Sequence, residues 1–209
     1  MFEQTINKQT KNSLAILNKI AFIKDFYLAG GTGLALQFGH RISLDLDFFS
    51  QKEFNPDFLM NELQKLGTFS LNSKEPGTLH GVFNKTRVSF LYYPYPLMSP
   101  LKSFLNIKLA DFLDIACMKI DAISSRGEKK DFIDLYFVCQ KLPLNKVLDI
   151  FEQKYQKIDY NLSHVLKSLC YFEQAEKQVL PKMLTEVLWK KVKDFFIQEA
   201  SNIQKDFLK

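Results

Sequence analysis

Cysteine and long apolar runs are both scarce in this chain, and each scarcity removes a class of protein. The three cysteines, Cys117, Cys139 and Cys170, form no CxxC pair, so neither a zinc ribbon nor a disulfide framework is expected. No apolar run approaches the roughly 18 residues of a membrane span, and no basic-then-apolar leader opens the sequence. A cytoplasmic protein with no membrane partner is expected. The charge imbalance is also small: 28 basic residues face 23 acidic ones, a net +5, which permits a polyanionic partner without resembling a histone-like binder. No internal repeat or low-complexity segment occurs. One local absence matters later: no Asp or Glu lies between Glu75 and Asp111.

What remains is an ordinary globular composition of 209 residues, 46% apolar and 24% charged, with 20 Phe and 8 Tyr to fill a core. Periodicity predicts a helix from about Thr5 to Phe22 and a short strand over Phe26–Ala29. A turn at Gly30-Gly31 and a helix from Thr32 to Phe38, stopped near Gly39, come next. From Ile42 to Phe49 the residues alternate, with Leu44, Leu46 and Phe48 on one face and Ser43, Asp45 and Asp47 on the other. Asn55-Pro56 opens a helix that ends near Gly67. Phe69–Leu71, Leu79–Phe83 and Arg87–Tyr92 read as strands of an antiparallel meander. Beyond the Pro-rich stretch Pro94–Pro100 the pattern turns helical: Asp111–Arg126, Lys130–Gln140, Leu144–Lys154, Asn161–Lys177, and a long last helix after Leu184. The expected fold class is α+β, a core with a small mixed sheet over residues 1–108 and a helical domain over 109–209.

Two elements carry chemistry. Asp45 and Asp47 are two apart on a predicted strand, so their carboxylates project the same way about 6 to 7 Å apart at the backbone, close enough to share one hard divalent cation. The blander reading is a solvated strand face, which the depletion of Asp in strands weakens. Gly30-Gly31 stands about fifteen residues upstream, after a strand and before a helix, where bare backbone N–H groups can approach phosphate. A plain turn is the alternative. The joint order of strand, glycine pair, helix and paired carboxylates favours metal-dependent phosphoryl transfer.

The run from Leu28 to Ser50, LAGGTGLALQFGHRISLDLDFFS, resembles the AbiEii/AbiGii-type nucleotidyltransferase toxins of the polymerase-beta superfamily. Lys119 to Leu135, with Lys119, Arg126, Lys130, Asp131, Asp134 and Leu135, resembles that family's second signature. The resemblance implies a polymerase-beta-type core, its cleft completed by the helical domain, and transfer of a nucleotide from an NTP with Mg2+. It implies an RNA acceptor, tRNA first among them, a cognate antitoxin, and a role in a toxin-antitoxin or phage-defence pair. By the same resemblance Gly31 and Thr32 meet the triphosphate, Asp45 and Asp47 hold the metal, Lys119 contacts the nucleotide, and Asp131 or Asp134 is the late essential acid.

The residues bear on this independently. Lys119 and Arg126 are seven apart and share a helix face, while Asp131 and Asp134 are three apart on the next helix. Lys and Arg both suit phosphate, yet the same four residues also suit an interhelix ion-pair network. Arg41, beside His40, is suited to phosphate or to the surface, and His80 and His164 have no partner pattern. Such sites commonly carry a third carboxylate on a neighbouring strand; here that position falls near Ser89, which leaves Asp131 as the candidate base. A small-molecule or protein acceptor, or a silent nucleotide- or RNA-binding module, stands as the alternative function.

Overall fold

The computed structural model describes residues 1–158 and 160–207, which divide into two compact units, Met1–Asp111 and Phe112–Lys209. Among the described residues no helix is long and apolar enough to cross a membrane.

The first unit is a seven-stranded mixed sheet with three helices. Helix α1 (Lys8–Leu17) is shorter than its periodicity predicts. The Asn7 side chain accepts a hydrogen bond from the Thr10 N–H at 2.7 Å and so fixes the start, while the chain beyond tightens into a 3-10 turn at Ala21–Asp25. Strand β1 (Tyr27–Leu28) leads into α2 (Gly30–Phe38), then β2 (Leu46–Ser50) and α3 (Pro56–Leu66). Asn55 caps α3 by accepting from the Asp57 and Phe58 N–H groups, with Pro56 opening the helix as expected. Strands β3 (Phe69–Glu75), β4 (Thr78–Phe83) and β5 (Thr86–Tyr92) form the meander, and a short hairpin of β6 (Lys102–Phe104) and β7 (Ile107–Leu109) completes the unit.

The spatial order is β3-β4-β5-β2-β1-β7-β6, with β2/β5 and β1/β7 parallel and the other pairs antiparallel. Alternation assigns the two faces. Leu46 and Phe48 of β2, Val88 and Phe90 of β5, and Leu79 and Phe83 of β4 join Leu14, Leu17, Leu59 and Leu63 in one apolar cluster. Phe48 and Phe90 stack at 5.1 Å and are fully buried, each contributing about 1.5–3 kcal/mol through burial alone. The opposite face carries Asp47, Phe49, Ser89, Leu91 and His80, all only partly buried.

The second unit is built on helices: α4 (Phe112–Ser125), α5 (Lys129–Cys139), α6 (Leu144–Lys154), α7 (Leu162–Leu169), α8 (Glu173–Glu176) and α9 (Trp189–Phe207). The expected helix over 161–177 is broken in two. Its break swings Phe172 inward, 5.0 Å from Phe132 and 5.8 Å from Trp189, so tertiary packing overrides the local pattern. Lys154 and Asp114 form a fully buried ion pair at 2.7 Å between α6 and α4.

Candidate active site

The first unit's site is built where β1 runs into α2. Ala29 donates its N–H to the Asp47 carbonyl at 2.9 Å, and Gly30 then turns with φ +61°, a value that L side chains rarely adopt. A Cβ on Gly30 would stand 2.6 Å from Asp47 Oδ2, and one on Gly31 would overlap Arg41 Nη2. Gly30 is thus required by its left-handed backbone and its close approach to a carboxylate, while Gly31 lies against the Arg41 guanidinium. The pair is not a separate turn, since α2 already begins at Gly30. Ala29 supplies no side-chain cap, so the first N–H groups of α2, with the positive end of its dipole, remain for a ligand.

Three expectations change here. The strand carrying the carboxylates begins only at Leu46; Leu44 is exposed and does not share the apolar face. The physical reason is Thr32, whose hydroxyl donates to the Asp45 carbonyl at 2.5 Å and takes that group out of any strand ladder. Thr32 itself is buried. Its single proton is spent on Asp45 and its oxygen lies 3.0 Å from Ser43 Oγ, so it shapes the carboxylate segment rather than offering a hydroxyl to phosphate. Arg41 and His40 are buried, not at the surface; Arg41 Nη1 donates to the Ile42 carbonyl at 3.1 Å while its Nη2 lies against Gly31.

Asp45 and Asp47 are half-buried, and the Asp45 carboxylate has no hydrogen-bond or ion-pair partner among the described residues. Two hard oxygen donors two residues apart, one of them unengaged, suit a divalent cation. Among the described residues no group of three His, Cys, Asp or Glu side chains closes around one point, so the donor set fits a single cation that arrives with other ligands rather than a fully protein-held one. The neighbouring strand offers Ser89 opposite Asp47, the neutral residue expected there.

Sequence reasoning passed over His80. Its Nδ1 lies 3.0 Å from Ser89 Oγ, and β4 pairs the two residues directly. The hairpin itself carried the signal, because counting outward from a two-residue turn at Asn84-Lys85 brings His80 opposite Ser89.

In the second unit the structure gathers Lys119, Arg126, Asp131 and Asp134 into an interhelix ion-pair network. Lys119 Nζ lies 2.7 Å from both Asp131 Oδ1 and Asp134 Oδ2, and all three side chains are buried. Arg126 adds its Nε 3.0 Å from Asp131 Oδ2 and is half exposed. Burial raises the Asp131 carboxyl, but Lys119 and Arg126 together outweigh it and hold the group below the usual carboxylate range. Asp131 therefore does not suit the role of base expected of it: both oxygens are engaged and its proton affinity is low. Lys130 pairs with Glu128 at 2.9 Å on the outside of this cluster.

Comparison with known proteins agrees with this architecture. An uncharacterized protein of Aquifex aeolicus is 36% identical over 197 residues, covering 91% of this chain and 94% of the relative. A candidate nucleotidyltransferase from Helicobacter pylori shares the fold with a TM-score of 0.53 at 16% identity, covering 96% of both chains. MenT4, a nucleotidyltransferase toxin of Mycobacterium tuberculosis, aligns with a TM-score of 0.58 at 12% identity, covering 92% of this chain and 82% of its own. A family profile described as nucleotidyl transferase AbiEii toxin, type IV toxin-antitoxin system, matches residues 13–208, and the chain belongs to that family of nucleotidyltransferases.

Proposed function

We propose that this chain transfers a nucleotide from an NTP to an RNA acceptor, the end of a tRNA, as the toxin of a pair with a cognate antitoxin. The observation that carries the transfer reading is the Asp47 carboxylate set against the uncapped start of α2, with Gly30 leaving room for both. An anion-binding helix terminus beside a cation-binding acid is what a metal-bound triphosphate requires. Arg41, buried against Gly31, adds a fixed positive charge to the same spot. Asp45 and Asp47 would hold Mg2+, which when bound neutralises phosphate charge and orients the phosphates. Thr32 keeps the Asp45 segment fixed, so the carboxylates are preorganised before substrate enters.

The acceptor reading rests on the acid-free stretch from Pro76 to Ala110. Of its four cations, Lys102 is tied to Asp111 and Gln37, and Lys108 to the Lys24 carbonyl. Lys85 and Arg87 are exposed, without an ion pair among the described residues, and Arg87 projects from the same sheet face as Ser89. Tyr93 lies 4.7 Å from Tyr95 and 5.4 Å from Phe49, a half-buried aromatic group on which an unstacked base could rest.

Incubation of the pure protein with Mg2+ and each labelled NTP, against total RNA, small metabolites and protein, tests the reading. Label in tRNA is the expected outcome. Label confined to small molecules or protein would overturn the acceptor, and nucleotide binding without transfer would make this a silent binding module.

A further inference from the structure

The site as described holds metal-binding carboxylates but no group able to take the proton of an attacking hydroxyl, and the sheet supplies one. β2 and β5 pair in parallel with Asp47 opposite Ser89; β5 and β4 pair antiparallel with Ser89 opposite His80. Directly opposed residues project from the same face, so Asp47, Ser89 and His80 form one row across three strands, spanning about 10 Å. That row lies on the face away from the Phe48–Phe90 core, and all three residues are partly exposed. The bond between His80 Nδ1 and Ser89 Oγ tips the imidazole toward β5, the side on which Asp47 stands. His80 Nε2 has no hydrogen-bond partner among the described residues.

We propose that His80 is the catalytic base of the transfer, with Ser89 as the residue that positions it; this rests on the nucleotidyl-transfer reading given above. Neutral imidazole carries one proton, and a bond donated from Nδ1–H to Ser89 Oγ keeps that proton away from the substrate and leaves the Nε2 lone pair for it. The acceptor oxygen bonds to the α-phosphorus and its proton passes to Nε2. The bond from the α-phosphorus to the bridging oxygen breaks, and pyrophosphate departs with that electron pair. His80 ends as imidazolium, with Asp47 two strands away at the far end of the row. The other charged groups facing it are Arg87, two residues before Ser89, and Glu75, two residues beyond Ser73, its β3 partner. Metal ligation is the less suited role for His80, since no three His, Cys, Asp or Glu side chains among the described residues cluster closely enough to share an ion.

Single-turnover transfer measured against pH tests this, together with the histidine tautomer read from imidazole nitrogen chemical shifts in the free protein. The wild-type rate should rise with pH, as transfer through a base that acts in its neutral form requires. His80→Gln should slow transfer roughly 10²- to 10⁴-fold and flatten that rise, with nucleotide affinity unchanged. Ser89→Ala should lower the rate less while keeping the rise, and Ser89→Thr should restore it. The tautomer should be Nδ1–H. An Nε2–H tautomer, or a His80→Gln protein with wild-type rate and pH profile, would overturn the base while leaving the transfer reading intact. A wild-type protein that transfers nucleotide to no acceptor would overturn both.

Discussion

Asp47 and Gly30 are locked together: the carboxylate Oδ2 occupies the space within 2.6 Å of where a Gly30 Cβ would stand. Gly30→Ala should displace the carboxylate from the start of α2 and force an L side chain into a left-handed conformation at φ +61°, costing about 1–2 kcal/mol. Activity should fall further than that loss of stability explains. Parallel melts and transfer assays check this; proportionate losses would reduce Gly30 to a backbone requirement.

Asp45→Asn and Asp47→Asn should each leave the melting curve nearly unchanged and remove most Mg2+-dependent transfer, because each keeps the side-chain shape and deletes one hard anionic donor. Wild-type turnover in either variant would remove the assigned metal ligands.

Lys119→Ala should be destabilising by about 3–5 kcal/mol, since it leaves two buried carboxylates, Asp131 and Asp134, without the ammonium between them. The same network sets an acid limit. Asp131 titrates lower in the folded than in the unfolded chain, so its contribution is complete above the ordinary carboxylate range and is lost as pH falls through its depressed folded value. Denaturant melts from neutral pH downward should show this decline in the wild type and less of it in Asp131→Asn.

Thiol chemistry should separate the three cysteines. Burial raises all three thiols, Cys117 and Cys139 up to about 12, which leaves those two almost no thiolate at neutral pH, while Cys170 is exposed. A disulfide reagent at mildly alkaline pH should modify Cys170 promptly and the other two only on unfolding.

RNA binding should weaken steeply with salt, and replacing Lys85 and Arg87 with Ala should flatten the log-log slope by about one unit per lost phosphate contact. Slopes measured for the double variant and wild type decide it; identical slopes would remove these two cations from the RNA path.

Much of this was legible in local sequence. The α6 limits at Leu144 and Lys154 and the Asn55-Pro56 helix start follow from periodicity and capping. What was not legible depends on distant partners. The break after Leu169 exists because Phe172 packs on Phe132 and Trp189. The β6–β7 hairpin turns at Leu105 and Asn106, both at positive φ, without the glycine that normally announces such a turn. Arg41 is buried with its guanidinium against Gly31, ten residues earlier in the chain. His80 lacked a partner along the chain because its partner, Ser89, lies across a hairpin.

The link between β4 and β5 is only two residues, Asn84 and Lys85, both at positive φ. Strand side chains alternate with a period of two, so the length of this link acts as a parity switch for everything N-terminal to it in β4. One extra residue would leave β5 and Asp47 untouched but rotate His80 into the apolar core and turn Leu79 out to water. Two extra residues would restore both. A loop far from any substrate therefore governs which side of the sheet a histidine occupies, and alterations there should be tolerated in even steps and damaging in odd ones.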